Sequence, residues 1–297
     1  MSSRPRRSAL YMPGSNARAL DKARTLAADI VILDLEDAVA PDAKQVAREQ
    51  VAAAVRQGGF GHREVVVRIN GLDTQWGRDD LAAIAPTGAE VILLPKVNDG
   101  PDLIASGKAI AAAGAPERTA VWAMMETPLA MLNAGAIAAA AKDRSTRLTG
   151  FVMGTNDLAK ETGARIVPGR APMNSWLMTS LAAARAHGLA ILDGVWNEIG
   201  DEAGFARECA EARDMGFDGK TLIHPSQIGP CNAAFSPGEK EVVWARTIIA
   251  AFDLPENSAK GAIQIEGRMV ERLHAEMARK LVAIADAIAA REIQAGA

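Results

Sequence analysis

The feature that most constrains the fold is a recurring boundary. Short apolar, β-branched runs each end abruptly in a polar or glycine-bearing loop, and alanine-rich helical stretches separate most of them. The clearest case is Thr119 to Ala130, TAVWAMMETPLA. Thr119–Met125 has the composition of a strand buried on both faces, Glu126 ends it, and Pro128 opens a helical run as proline does in a first turn. Similar runs lie at Ser8–Met12, Ile30–Leu35, Glu64–Asn70, Glu90–Leu94, Leu148–Met153, Ala190–Leu192 and Gly219–Ile223. Helices are expected over Ala17–Ala27, Pro41 to about Val55, Arg78–Ile84, Leu129 to about Ala141, Asn174–His187 and Glu202–Met215. Eight strands in a chain of 297 residues predict a (β/α)8 TIM barrel over residues 1–235. A doubly wound open sheet is the alternative, weakened because no G-x-G-x-x-G follows the first strand.

Residues 236–297 read as a helical extension, with helices at Pro237–Ala251 and Glu271–Gln294 and a short strand, Ala262–Ile265, between them. Leu273, Met277, Leu281, Ile284 and Ile288 form an apolar stripe at helical spacing. Such a stripe packs within its own chain or docks on another subunit.

Composition narrows the function classes. The chain is 49% hydrophobic and 23% charged with a formal net charge of −3, an ordinary globular balance that argues against nucleic acid as the main partner. No apolar run approaches the roughly 20 residues of a membrane span. The basic start, MSSRPRRSALYMPGS, lacks an apolar core and a cleavage signal. Cys209 and Cys231 show no metal-type spacing and fit a reducing compartment as inert thiols. A cytoplasmic protein is the expectation.

Charged residues at strand ends carry the chemistry, because active sites of parallel barrels lie at the C-terminal strand ends. Arg68 interrupts an apolar run and must find an anionic partner, from the substrate or from an ion pair in the barrel core. Glu36 and Asp37 follow the second strand, and Lys96 follows the fourth. Glu126 ends the fifth strand as a rim carboxylate or as a helix cap. Asp157 follows Gly154 after the sixth, and Asn156 or Asp157 could equally cap a helix. Pro13, Gly14 and Ser15 form a tight turn, with Ser15 or Asn16 as a helix cap and Arg18 and Lys22 one turn apart, a start that favours an anion or is simply solvated. Pro168–Pro172 is too polar to be core. Arg68, Glu126 and Asp157 share one rim, and two carboxylates without convergent thiols or histidines select a hard cation such as Mg²⁺.

LYMPGSN, ILDLEDAV, VVVRIN, LLPKV, METP and GTNDL occur in this order, each at a strand end. Together they resemble the HpcH/HpaI aldolase and citrate lyase β-subunit family, nearest its CitE-like CoA-ester lyases, from about Arg7 to Ala289. The resemblance implies Mg²⁺-dependent (or Mn²⁺-dependent) cleavage of a malyl-, citramalyl- or citryl-type 3-hydroxyacyl-CoA to acetyl-CoA and a 2-keto acid. Glu126 and Asp157 would hold the metal and Arg68 the substrate carboxylate, with Glu36 and Asp37 behind them. Tyr11, Pro13, Gly14, Asn16, Arg18 and Lys22 would belong to the coenzyme A side, together with Lys96. Family members are typically oligomers, often trimers, and a C-terminal aspartate reaches a neighbour's site. Here GRMVER places Glu271 at that position, as a base or as a helix cap. The change puts a synthase or thioesterase side activity in question more than the lyase. A citrate lyase β subunit acting on an acyl-carrier thioester shares all these residues. A non-catalytic CoA-ester-binding barrel is the remaining alternative.

Overall fold

The computed structural model describes residues 4–296. Eight strands close into one barrel: β1 (Ser8–Pro13), β2 (Ile30–Asp34), β3 (Glu64–Arg68), β4 (Val91–Leu94), β5 (Ala120–Met125), β6 (Leu148–Met153), β7 (Ala190–Asp193) and β8 (Gly219–Leu222). They pair in sequence order, all parallel, and β1 closes on β8. The helices are α1 (Ala17–Lys22), α2 (Lys44–Gln57), α3 (Gly77–Ile84), α4 (Gly100–Ala112), α5 (Pro128–Leu132), α6 (Ala134–Ala139), α7 (Thr155–Thr162), α8 (Asn174–Ala186), α9 (Glu202–Met215) and α10 (Ile228–Phe235).

The departures from the expected elements have local causes. The helix predicted over Ala17–Ala27 stops at Lys22, where Thr25 turns both its backbone N–H and its hydroxyl onto the Lys22 carbonyl. That local bonding competes with helix propagation. The single helix expected from Leu129 breaks at Asn133, whose amide donates to the Asn98 carbonyl at 2.9 Å. Helix α4 has no counterpart among the predicted elements because its Gly/Ala content blurs the periodicity. Its start was legible all the same, since Asp99 accepts from the Asp102 N–H and Pro101 sits in the first turn.

Strand alternation sorts the core into two layers. Ile30, Ile32, Val66, Leu93, Trp122, Met124, Val152 and Leu192 fill the barrel, while the residues between them pack outward against the helices. Gly150 lies opposite Trp122, and a Cβ there would approach the indole to 2.9 Å. Glycine therefore makes room for the largest side chain inside. The basic start is structural where it is described: Arg6 donates to both Glu64 oxygens at 2.6 and 2.8 Å, and Arg7 to Asp29 at 2.9 Å.

A second charge cluster lies outside the barrel wall, and sequence reasoning missed it. Lys220 and Asp193 are both 0% exposed, and Nζ donates to Asp193 at 2.7 Å and to Glu208 at 2.6 Å. Arg170 Nη1 donates to both Asp193 oxygens at 2.7 and 2.8 Å. The polar segment Pro168–Pro172 thus contributes a residue only 4% exposed, contrary to the expectation that it avoids the core. Burial opposes ionisation of Asp193, yet Lys220 and Arg170 outweigh it and hold the carboxyl below the usual carboxylate range.

Residues from Ser236 onward, with Arg4 and Pro5, form a separate compact unit. It comprises α11 (Glu239–Asp253), an antiparallel hairpin of β9 (Ala262–Ile265) and β10 (Arg268–Glu271), and α12 (Arg272–Gly296). Glu266 and Gly267 both have positive φ, 48° and 79°, as a two-residue primed hairpin turn requires. That turn signal was passed over, so β10 was not anticipated. The unit has its own core of Ala245, Ile248, Phe252, Val270, Ala275 and Ala278. The predicted stripe splits, because Ala275 and Ala278 take the inward face of α12. Leu273 and Met277 are consequently 49% and 61% exposed.

Removing one member of a buried charge cluster leaves the others uncompensated. Asp193→Ala should therefore lower unfolding stability by about 3–5 kcal/mol, measured by urea denaturation. A loss below about 1 kcal/mol, the level of a surface pair, would contradict the burial described.

Candidate active site

The strand alternation that fills the barrel also decides what lines its mouth. Counting two residues on from inward-facing Ile32, Val66 and Met124 gives Asp34, Arg68 and Glu126, so all three point into the same opening. Tyr11 joins them from β1, packing against the inner layer.

Arg68 is the most constrained of these. Nε and Nη2 donate to the two oxygens of Asp34 at 2.7 and 2.6 Å, a bidentate pair. Nη1 lies 2.7 Å from Glu36 Oε2 and 3.3 Å from Asp37 Oδ2, and the guanidinium stacks over the Tyr11 ring at 4.8 Å. Burial disfavours the charge, but Asp34 outweighs it and raises the Arg68 pKa well above its ordinary value. Asp34 also accepts from the backbone N–H groups of Glu36 and Ala38, both at 3.0 Å, which folds the loop after β2 around it. The core ion pair weighed for Arg68 is present. Its partner, Asp34, was not singled out because it lies inside the apolar run and reads there as part of the strand.

Glu126 does not cap a helix. Thr127 does, accepting from the Ala130 N–H at 3.0 Å. Glu126 is 1% exposed. Its Oε1 accepts from the backbone N–H of Lys96 at 2.7 Å, while Oε2 is buried with no hydrogen-bond partner among the described residues. Burial raises its pKa to about 8, with Glu36 adding and the Lys96 N–H opposing. Glu36 is likewise raised to about 7, by burial first, against the pull of Arg68.

Asp157 is half-buried in the first turn of α7 and caps nothing either, since Gly154 holds the N-cap position without a side-chain bond. Its Oδ1 lies 3.3 Å from Lys96 Nζ. Neighbouring Asn156 exchanges amide hydrogen bonds with Asn197 at 3.2 and 2.8 Å, tying α7 to the loop after β7. A Cβ on Gly154 would stand 2.4 Å from Glu126 Cβ and 2.5 Å from Oε2. Only glycine lets the end of β6 approach Glu126 this closely.

These observations bear on a metal. An unpartnered buried carboxylate oxygen is costly and invites a cation. A second carboxylate, Asp157, is close enough to raise the Glu126 pKa. No group of three or more His, Cys, Asp or Glu side chains placed to hold a metal occurs among the described residues. Glu126 and Asp157 are the two carboxylates that would be available to a cation here, a donor set that fits Mg²⁺ completed by substrate and water.

The remaining predicted residues divide. Pro13 ends β1, and Gly14 donates its N–H to the Asp34 carbonyl at 2.8 Å. A Cβ on Gly14 would meet that oxygen at 2.6 Å, so close packing explains this glycine. Asn16 caps α1 by accepting from the Ala19 N–H at 3.1 Å. Arg18 and Lys22 are exposed on α1. Beside Lys96 the rim opens into a groove of about 1110 Å³ between α3 and α4, lined by Arg78, Leu81, Val97, Ala105 and Leu129 among others. Glu271 belongs to the second unit, where it ends β10 and its backbone N–H is capped by His274 Nδ1 at 2.9 Å.

A parallel barrel whose rim joins two carboxylates, one with an unclaimed oxygen, to a charge-locked arginine has the equipment of an enzyme acting on a small anionic molecule. The chain belongs to the HpcH/HpaI aldolase/citrate lyase family, whose model matches residues 7–225. It is 52% identical over 286 residues to a (3S)-malyl-CoA thioesterase of Cereibacter sphaeroides, covering 96% of each chain. It is 34% identical over 294 residues to citrate lyase subunit beta of Escherichia coli, covering 97% of this chain and 96% of that one. Among solved structures, CitE of Mycobacterium tuberculosis in complex with magnesium, acetoacetate and coenzyme A superposes with a TM-score of 0.76. The two are 31% identical, with 96% of this chain and 100% of that chain covered.

The raised carboxylates set a sign for stability. Glu36 and Glu126 bind protons more tightly folded than unfolded, so their contribution is fully present below about pH 4.5 and is lost as pH rises through about 7 and 8. With a chelator present, the melting temperature should fall more steeply over this range in the unaltered chain than in Glu126→Gln, as followed by circular dichroism. Parallel curves for the two would contradict the burial of an ionisable Glu126.

Proposed function

We propose that this chain hydrolyses the thioester of a malyl-type 3-hydroxyacyl-CoA, with Mg²⁺ held by Glu126 and Asp157. The observation that carries the reading is the 52% identity with the (3S)-malyl-CoA thioesterase over 96% of both chains, well above the 34% shared with citrate lyase subunit beta. It reverses the emphasis drawn from Glu271, which weighed against thioesterase chemistry. When bound, the cation supplies positive charge against the substrate's carboxylate and carbonyl oxygens.

The chain's own groups divide the remaining work. Arg68 receives the substrate's free carboxylate through Nη1, with Glu36 and Asp37 giving way, because Nε and Nη2 are committed to Asp34. Glu36, with its pKa near 7, suits a base that takes a proton from attacking water at neutral pH. Water adds to the thioester carbonyl, the C–S bond breaks, and the thiolate leaves as CoA thiol once protonated. Arg18 and Lys22 on α1 serve the CoA phosphates.

The second reading is the lyase reaction, favoured by the family and by the citrate lyase relatives. There the substrate hydroxyl loses its proton to a base, the carbon–carbon bond breaks to give glyoxylate or pyruvate and the enolate of acetyl-CoA, and a proton returned to the enolate carbon completes acetyl-CoA. The segment carrying Glu271 would serve an oligomer, a trimer by the family's habit, as a cover for a neighbour's site.

Product analysis separates the two readings. Malyl-CoA with Mg²⁺ should yield malate and free CoA in equal amounts, whereas acetyl-CoA and glyoxylate would establish the lyase. Either activity should disappear in EDTA and return with Mg²⁺ or Mn²⁺. Glu126→Gln or Asp157→Asn should cost on the order of 10²-fold or more in turnover, and full turnover in chelator would remove the metal from the reaction. Arg68→Lys keeps the charge but loses the planar fork, and should impair turnover strongly while circular dichroism still reports a folded barrel. Loss of the fold with unchanged activity per folded molecule would assign Arg68 to structure alone.

A further inference from the structure

Lys96 touches both candidate metal ligands in different ways. It sits directly after β4 in a left-handed conformation, φ 50°, rare for a residue with a side chain. That conformation aims its backbone N–H at Glu126 Oε1, 2.7 Å away. Its ammonium reaches across to Asp157 Oδ1 at 3.3 Å. The Lys96 side chain is 45% exposed, and Lys96 also lines the open groove between α3 and α4. The backbone contact therefore depends on chain geometry, while the ammonium contact is mobile and half in water.

We infer that the Lys96 ammonium is a competitor for the metal: it balances Asp157 at Oδ1, the same carboxylate a divalent ion would use, and turns away when such an ion takes that oxygen. Among the described residues Lys96 is the side chain that meets Asp157 Oδ1, and Glu126 Oε2 has no hydrogen-bond partner. A cation binding between the two carboxylates meets the ammonium both as a competitor for Oδ1 and as a like charge. The groove beside the rim gives the released ammonium somewhere to turn, and an anionic group entering there would hold it away. Lys96 thus opposes metal binding, and it ceases to do so once an anionic ligand holds its ammonium. This rests on Glu126 and Asp157 being the metal ligands.

The test is direct titration with Mn²⁺, without substrate, followed by the electron paramagnetic resonance signal of free Mn²⁺. Lys96→Met and Lys96→Gln retain the backbone N–H that meets Glu126. Both should bind Mn²⁺ about two- to fivefold more tightly than the unaltered chain, the range expected for removing an exposed ion pair. Lys96→Arg, which keeps the charge, should not tighten binding. The gain should shrink at high salt, because the lost contact is screened. Unchanged or weaker binding by folded Lys96→Gln overturns the inference. Asp157→Asn is the control for the underlying reading: if it binds Mn²⁺ as well as the unaltered chain, the metal assignment fails rather than the role of Lys96.

Discussion

A guanidinium buried at the end of a barrel strand is tolerable only if its charge is met completely, and the mouth of this barrel is built to meet it. Arg68 and Asp34 form the bidentate pair that joins β2 to β3 where the strands stop. Asp34 then gathers the N–H groups of Glu36 and Ala38, so the loop that follows is shaped by the same carboxylate. Glu36 is held against Arg68 by this turn, and its charge in turn helps to raise the pKa of Glu126. Breaking the first pair would leave an uncompensated charge in the mouth and release the loop at once.

The mouth contrasts with the cluster outside the wall. Lys220, Asp193 and Glu208 pair with one another, and Arg170 joins them through Nη1 alone, its Nε and Nη2 finding no hydrogen-bond partner among the described residues; together they fasten α9 and the segment around Arg170 to the barrel. At the rim Glu126 likewise keeps an oxygen unpaired among the described residues, and Lys96, like Arg170, has a positive φ, but here Glu36 and Glu126 have pKa values raised to about 7 and about 8. Unpaired buried atoms and a positive φ occur in both clusters, so what sets the rim apart is its pair of carboxyl groups raised toward neutrality, the kind of shift that functional sites require.

The barrel was legible in the sequence because its signal is repeated: each buried strand is a run of apolar residues with a sharp polar end, and eight repetitions leave little freedom. Arg68, Glu126 and Asp157 were legible for the same reason, as charges placed where those runs stop. Asp34 was hidden because its letter falls within such a run, and whether a strand residue faces the mouth or the helices depends on register, which composition does not carry. Arg170 was misread because a polar loop segment looks solvated until its partners are known, and Asp193, Glu208 and Lys220 lie 23 to 50 positions further along the chain. Helix α4 was lost because alanine and glycine weaken the periodicity that marks a helix. Arg18 and Lys22 are exposed on α1.

Gly154 carries a consequence beyond its own packing. A methyl group there would overlap the Glu126 side chain, so a single hydrogen atom in place of a carbon decides whether β5 and β6 can end side by side with both carboxylates in reach. This makes residue 154 a diagnostic that can be read in any related sequence before its structure is known. A chain that keeps the two acids but carries alanine or a larger residue at this position has to rearrange its rim, whatever else it shares with this one.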